Sequence, residues 1–139
     1  MANRGLEALA TVPLFEGLTG RHLRHVHNLA EEASFMKGAQ LVKQGDDGDT
    51  FFVILEGQAK VVRGGKTINT LIPGDHFGEI SLLDGGERTA SVVADTPVTC
   101  LVIDRKKFTK VLSKEPQMSK ALLKSMARMI RRTDRSLAE

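Results

Sequence analysis

Two short pairs of residues, Gly78-Glu79 and Arg88-Thr89, bracket the stretch of this chain that can do chemistry, Phe77 to Val92. Arg88 offers a planar fork able to hold two phosphate oxygens at once, and Thr89 adds a hydroxyl beside it. Gly78 lets the backbone come close to a ligand. The residues that follow it, Glu79, Ile80, Ser81 and Leu82, are too few for a strand and enough for one helical turn. A turn opening at Gly78 or Glu79 leaves its first N–H groups without intrahelical partners, and those donors with the local dipole suit an anion. Glu79 would repel a phosphate, so its carboxylate needs another task. Accepting hydrogen bonds from a sugar hydroxyl is such a task. An anion cradle beside a hydroxyl acceptor suggests a nucleotide. The competing reading is an ion pair between Glu79 and Arg88 that only closes a loop, although a surface pair is worth under about 1 kcal/mol and seldom justifies a buried arginine.

Other reactive side chains assemble into nothing comparable. Ser81 has no visible His and Asp to activate it, and Gly-Glu-Ile-Ser is not a nucleophile elbow. Cys100 lies in an apolar run and reads as a small core residue. His22, His25 and His27 crowd one predicted helix with no further ligand at metal spacing, so they read as solvated helix positions. His76 reads as a turn residue. No catalytic constellation, metal site or cofactor is expected, and the chain is expected not to be an enzyme. A cupin-like metalloenzyme would need a His-x-His pair on the β body, where His76 is the only histidine between residues 34 and 104.

The elements that must position these residues follow from periodicity. The chain has 139 residues, enough to bury a single core, and is read as one domain with helices over residues 1–32, a β body over 33–104 and helices over 105–139. Thr19 is a helix cap ahead of the apolar stripe Leu23, Val26, Leu29 and Ala30. Short β-branched or aromatic runs then recur between Gly, Asp and Pro. They predict strands at 34–37, 40–43, 51–56, 58–63, 67–71, 89–94 and 98–103, the pattern of a sandwich or barrel. Asp104 caps a helix from Arg105 to Ser113, and Pro116 opens a last helix over 117–137. Leu123, Met126, Ile130, Thr133 and Leu137 step by 3, 4, 3 and 4 along it, which suits either a dimer seam or packing on the chain's own barrel.

Charge divides the chain. Residues 1–104 carry 9 basic and 14 acidic side chains, whereas residues 105–139 carry 11 basic and 3 acidic. The basic tail reads first as a solvated helix face and second as a surface for nucleic acid or anionic lipid. One Cys excludes a disulfide framework, and no apolar run approaches the roughly 18 residues that span a bilayer. A reducing, cytoplasmic setting is expected.

Two separated stretches resemble the cyclic nucleotide-binding domain family. The first is Leu41-Val42-Lys43-Gln44-Gly45-Asp46-Asp47-Gly48-Asp49-Thr50-Phe51-Phe52-Val53-Ile54-Leu55-Glu56-Gly57, with the family's Gly, acidic, Gly and four-apolar pattern ending in Gly. The second is the cassette over residues 77–92, with Gly-Glu and Arg-Thr-Ala at family spacing. The resemblance implies an α+β fold, a β jelly roll (double-stranded β-helix) flanked by N-terminal helices and two C-terminal helices. It implies that Glu79 takes the ribose 2′-hydroxyl and that Arg88 neutralises the cyclic phosphate. Gly78, Ile80 and Ser81 would then lie along the backbone that meets ribose and phosphate, and Thr89 would touch phosphate or purine. Gly45, Gly48 and Gly57 would be scaffold. The family commonly has Pro where this chain has Glu87, an acidic group placed to pair with Arg88.

The function implied is a non-catalytic regulatory module that binds a cyclic purine nucleotide and passes occupancy to its C-terminal helices. Met129, Arg132 and Thr133 are candidate lid residues over the base. Thr89 resembles the hydroxyl position of cGMP-selective members, but bacterial cAMP readers also accept Ser or Thr there, which places cAMP ahead of cGMP. Lys106-Lys107-Phe108 and Met126-Ala127-Arg128 further resemble bacterial catabolite-activator-type regulators, in which the long helix dimerises and a DNA-binding domain follows. From this stretch alone a homodimer through the last helix and a downstream effector protein are expected, and sequence-specific DNA binding is not. The alternative function is an interaction protein that uses the basic last helix on nucleic acid or anionic lipid, with a degenerate nucleotide pocket.

Overall fold

In the computed structural model, which describes residues 4–138, eight strands form two antiparallel four-stranded sheets with helices gathered on one side. The first sheet is ordered β1 (Glu31–Phe35), β8 (Val98–Asp104), β3 (Thr50–Glu56), β6 (His76–Phe77). The second is β2 (Gln40–Val42), β7 (Ser91–Ala94), β4 (Ala59–Arg63), β5 (Lys66–Leu71). This is the expected jelly roll.

β3 shows why the two layers need each other. Its sequence TFFVILE is a continuous apolar run, and such a run fits a strand covered on both faces. Phe51 and Val53 face a core shared with the helices, alongside Leu101, Ile103, Phe108, Met118 and Leu122. Phe52 and Ile54 point the opposite way, into a core closed by Ala59, Val92, Ala94, Val98 and Cys100. Alternation along one strand thus splits a single apolar segment between two cores. Burial pushes the Cys100 thiol up to about 11, in keeping with an unreactive core residue.

The helices are α1 (Arg4–Ala10), α2 (Gly20–Leu29), α3 (Glu79–Asp84), α4 (Arg105–Lys114) and α5 (Pro116–Ala138), with a 3-10 turn at Pro13–Phe15. Both predicted caps form. Thr19 Oγ1 accepts from His22 N at 3.1 Å, and Asp104 Oδ2 accepts from Lys107 N at 3.1 Å. Phe15 of the 3-10 turn packs edge-on against Phe51 at 5.7 Å and against Phe108 of α4 at 6.1 Å, joining sheet, turn and C-terminal helices in one cluster.

Several sequence expectations need correction. The N-terminal helical part ends at Leu29, and β1 begins at Glu31, because its exposed glutamates sit on an edge strand where period-2 burial is weak. The strand predicted from 89 begins at Ser91, since Arg88 and Thr89 belong to the cassette loop. His76 is a strand residue paired with Val53, in a two-residue β6 too short to leave a periodic signal. His22 is not solvated: it is buried, and its Nε2 lies 3.7 Å from Glu115 between α4 and α5, with His25 Nδ1 3.6 Å from the same carboxylate.

The last helix serves its own barrel with one face and leaves another uncovered. Met118, Leu122 and Ser125 are buried against the core, whereas Leu123 and Ile130 are exposed. With the exposed Thr133, three members of the candidate seam therefore face outward, Met126 packs against the core cluster, and the side chain of Leu137 lies outside the described residues.

Candidate functional site

Arg88 is fixed by a strap that the first glycine-rich motif lays along the cassette. Gly45 N donates to Arg88 O at 2.9 Å, Arg88 N donates to Asp46 O at 2.7 Å, and Gly48 N donates to Gly86 O at 2.8 Å. The side chain turns inward. It is only 8% exposed. Its Nη2 donates to the carbonyl of Thr50 at 2.7 Å, and its guanidinium carbon lies 6.0 Å from the centroid of Phe52. Phe52 is itself stacked on Phe77 with centroids 4.6 Å apart.

Two glycines make this burial possible. A Cβ at Gly78 would stand 2.6 Å from Arg88 Nη1 and 2.7 Å from Thr50 O, and its φ of +89° is open to glycine at little cost. A Cβ at Gly48 would stand 2.7 Å from Ser81 Cβ and 2.9 Å from Arg88 Nε. Gly48 is thus more than a scaffold turn, because it leaves the room that Ser81 and Arg88 occupy. Burial pushes the Arg88 guanidinium down, and the charge of Asp49 opposes that shift. Among the described residues no carboxylate lies within ion-pair distance of Arg88. The expected pairing with Glu87 does not form. Glu87 is exposed, and its backbone bridges to Asp47 instead. A sequestered cation held by one carbonyl is costly unless an anion completes its coordination.

The opposite pole is Glu79, first residue of α3, which is capped at both ends by left-handed glycines, Gly78 and Gly85. The Glu79 carboxylate does not pair with Arg88. Its Oε2 lies 3.3 Å from His76 Nδ1. Burial pushes the Glu79 carboxyl upward, but the hydrogen bond from His76, its own backbone N–H and the imidazole charge outweigh burial and hold it below the usual carboxylate range. It is therefore an ionised acceptor at neutral pH. The loop-closing ion pair between Glu79 and Arg88 is excluded by this geometry.

Between the poles lies a cavity of about 410 Å³, within the size range of small-ligand sites. Gly78, Glu79, Ser81, Arg88 and Thr89 all line it. Ile80 falls in the first turn of α3, and its side chain lies outside the described residues. Val42, Val61 and Val92 also line the cavity, and none of them was named as a site residue from the sequence. Val92 is the cross-strand partner of both Val42 and Val61, so the three form one row on one face of the second sheet. Strand alternation could have flagged them, but only once the register was known. Arg63, also in the lining, was missed for the same reason. His76 was noticed and misassigned, although its position three residues before Glu79 was a usable signal.

The candidate lid stands elsewhere. None of Met129, Arg132 and Thr133 lines the cavity. Arg132 Nη2 donates to Glu16 Oε2 at 3.3 Å, Arg128 lies 3.9 Å from the same carboxylate, and Thr133 Oγ1 donates to the carbonyl of Met129. α5 is thus held on the 3-10 turn, not over the cassette.

Comparison with known proteins gives the family of the chain. The family model described as "Cyclic nucleotide-binding domain" matches residues 32–115. The chain belongs to the cyclic nucleotide-binding domain family. Among curated relatives, a CRP-like cAMP-activated global transcriptional regulator of Mycobacterium tuberculosis is 30% identical over 138 residues, 96% of this chain and 62% of the relative. A cGMP-dependent protein kinase of Drosophila melanogaster is 36% identical over 113 residues, 76% of this chain and 12% of that protein. The chain therefore spans about three fifths of the length of the regulator it matches. Among solved structures, the N-terminal domain of a transcriptional regulator from Streptomyces coelicolor superposes with a TM-score of 0.84 at 30% identity, covering 91% of this chain and 94% of that one. The catabolite activator protein of Thermus thermophilus gives 0.71 at 31% identity, covering 91% and 62%.

The chemistry of the cavity lining is simple. It presents one buried cation, one ionised acceptor and an apolar shelf. Among the described residues no cluster of His, Cys, Asp and Glu has the arrangement of a metal site, and no helix is long and apolar enough to cross a membrane.

Proposed function

We propose that this chain is a non-catalytic regulatory module that binds a cyclic purine nucleotide, cAMP ahead of cGMP, and couples its occupancy to movement of α4 and α5. The observation that carries the reading is Arg88, a guanidinium buried between Gly48 and Gly78 with no carboxylate at pairing distance. A singly charged cyclic phosphate would complete its coordination, with the ribose 2′-hydroxyl on Glu79 and the backbone of Gly78, Ile80 and Ser81 alongside. Thr89, exposed at the rim of the cavity, is available to phosphate or base. The place of cAMP rests on the regulator that matches nearly the whole chain, which is itself described as cAMP-activated.

The coupling reading rests on packing. Leu82 of α3 shares one core cluster with Phe15, Phe108, Met118 and Leu122, so a shift of α3 is felt by both C-terminal helices. A two-state response requires only that the ligand prefer one arrangement of those helices. Met129, Arg132 and Thr133 would cover the base in the other arrangement, which α5 could reach by releasing Glu16. The exposed Leu123 and Ile130 suit a second copy of the chain, and a downstream effector would read the position of α5. A cytoplasmic setting fits the single buried thiol. A second reading is favoured by the exposed Lys120, Lys124, Arg128 and Arg131 on α5, which would bind nucleic acid or anionic lipid in a salt-dependent way.

Calorimetric titration with cAMP, cGMP and 5′-AMP tests the proposal. Saturable binding of the two cyclic nucleotides, cAMP tighter and 5′-AMP weaker than either, is expected. Silence toward all three, with salt-sensitive retention on DNA or anionic vesicles, would transfer the function to the tail.

A further inference from the structure

The cavity holds a second guanidinium that the family motifs do not mention. Arg63 ends β4, two residues beyond Val61, and strand alternation places it on the same face as the valine row. It lines the cavity, as Val42, Val61 and Val92 do. Its Nε donates to the carbonyl of Thr89 at 3.1 Å, which ties the end of β4 to the cassette. That bond uses one of five donors. No carboxylate of the described residues lies within ion-pair distance of Arg63, so both Nη groups remain available. The two cations of the cavity therefore differ. Arg88 is buried in the cassette loop and gripped by Thr50 beside Gly78, while Arg63 is exposed and comes from β4 of the second sheet.

A ligand whose phosphate meets Arg88 and whose sugar meets Glu79 has its base left over, and the apolar shelf beside Arg63 is the surface suited to a flat ring. A guanidinium only donates. Guanine presents two adjacent acceptors, O6 and N7, whereas adenine presents N7 beside an amino donor. We propose that Arg63 reads the O6/N7 edge of the purine and thereby makes cGMP a competent ligand of this cavity. The inference rests on the nucleotide-binding reading above and adds a specificity residue to it. Thr89 is then oriented by Arg63 as well as being a contact in its own right.

The test compares affinities for cGMP, cIMP and cAMP in the wild-type chain, Arg63→Leu and Arg63→Lys. cIMP keeps O6 and N7 but lacks the 2-amino group, which separates the edge from contacts made by Thr89. Arg63→Leu should weaken cGMP and cIMP about tenfold, the scale of one bidentate contact, and leave cAMP within about twofold. Arg63→Lys, a point charge without the fork, should recover only part of the loss. A measurement that needs no variant is 7-deaza-cGMP, which lacks the N7 acceptor and should bind the wild-type chain severalfold more weakly than cGMP. Equal loss for all three nucleotides in Arg63→Leu would make Arg63 only a tie to Thr89 and overturn the inference, as would equal binding of 7-deaza-cGMP and cGMP. Absence of binding by any cyclic nucleotide to the wild-type chain would overturn the nucleotide-binding reading itself, and this inference with it.

Discussion

Arg88 and Arg132 are the same side chain in opposite circumstances. Arg88 is 8% exposed, hemmed by two glycines and held by a backbone carbonyl. The Arg132 side chain is 54% exposed and rests on Glu16, itself half exposed. Burial makes the first a demand for an anion. Exposure makes the second a weak tether, since surface pairs of this kind contribute about 0.2–1 kcal/mol. The cassette thus holds its cation in a packed site, while the later turns of α5 are held by exposed pairs, the contrast on which the proposed coupling rests.

The comparison breaks first at Arg88. Arg88→Ala removes the fork that would make two charge-assisted hydrogen bonds, each worth about 1.5–3 kcal/mol, so cAMP affinity by calorimetry should fall at least about 100-fold. An unchanged isotherm would remove Arg88 from the site. Glu79→Gln is expected to cost less, about tenfold, because the amide keeps one acceptor and loses the charge. Its effect should vanish with 2′-deoxy-cAMP, which has no hydroxyl to offer. The wild-type site also has a pH signature. A carboxyl held below its ordinary value stays charged as pH falls past that value, so the acid loss attributable to Glu79 begins only below the usual glutamate range. Glu79→Gln should lack that step in the affinity–pH profile.

The smallest effect is expected at the other end. Glu16→Ala frees Arg128 and Arg132, which should raise cAMP affinity by about two- to fivefold if α5 must leave the 3-10 turn to cover the base. Cutting the chain after Ala127 sharpens the same point. It spares the buried Met118, Leu122 and Ser125, which a cut after Ser113 would remove, and should speed cAMP release severalfold by stopped-flow. Equal release rates would leave α5 without a covering role.

The legible parts of this molecule are those whose cause is local. The caps at Thr19 and Asp104, the helical turn after Gly78 and the turns at the glycines are written within a few residues of where they act. The poles Glu79 and Arg88 were legible because a glycine-rich motif and its spacing carry them. What the sequence concealed depends on register and packing. The valine row and Arg63 share a face only because β2, β7 and β4 pair as they do. His76 gained its carboxylate partner from a strand two residues long. His22 was read as solvated because the carboxylate of Glu115 that faces it is 93 residues away in the chain. The first half of α5 is seated by Met118 and Leu122 in the core, whereas its later turns are tied to Glu16 by exposed ion pairs, which leave no periodic trace.

The most direct test observes the Arg88 guanidinium itself. In ¹H–¹⁵N spectra of the wild-type chain, its Nε–H signal, identified by its loss in Arg88→Lys, should shift on titration with cAMP and saturate with the same dissociation constant that calorimetry gives. A signal that stays fixed while cAMP saturates the protein elsewhere would contradict the assignment of the phosphate to Arg88 and the account built on it.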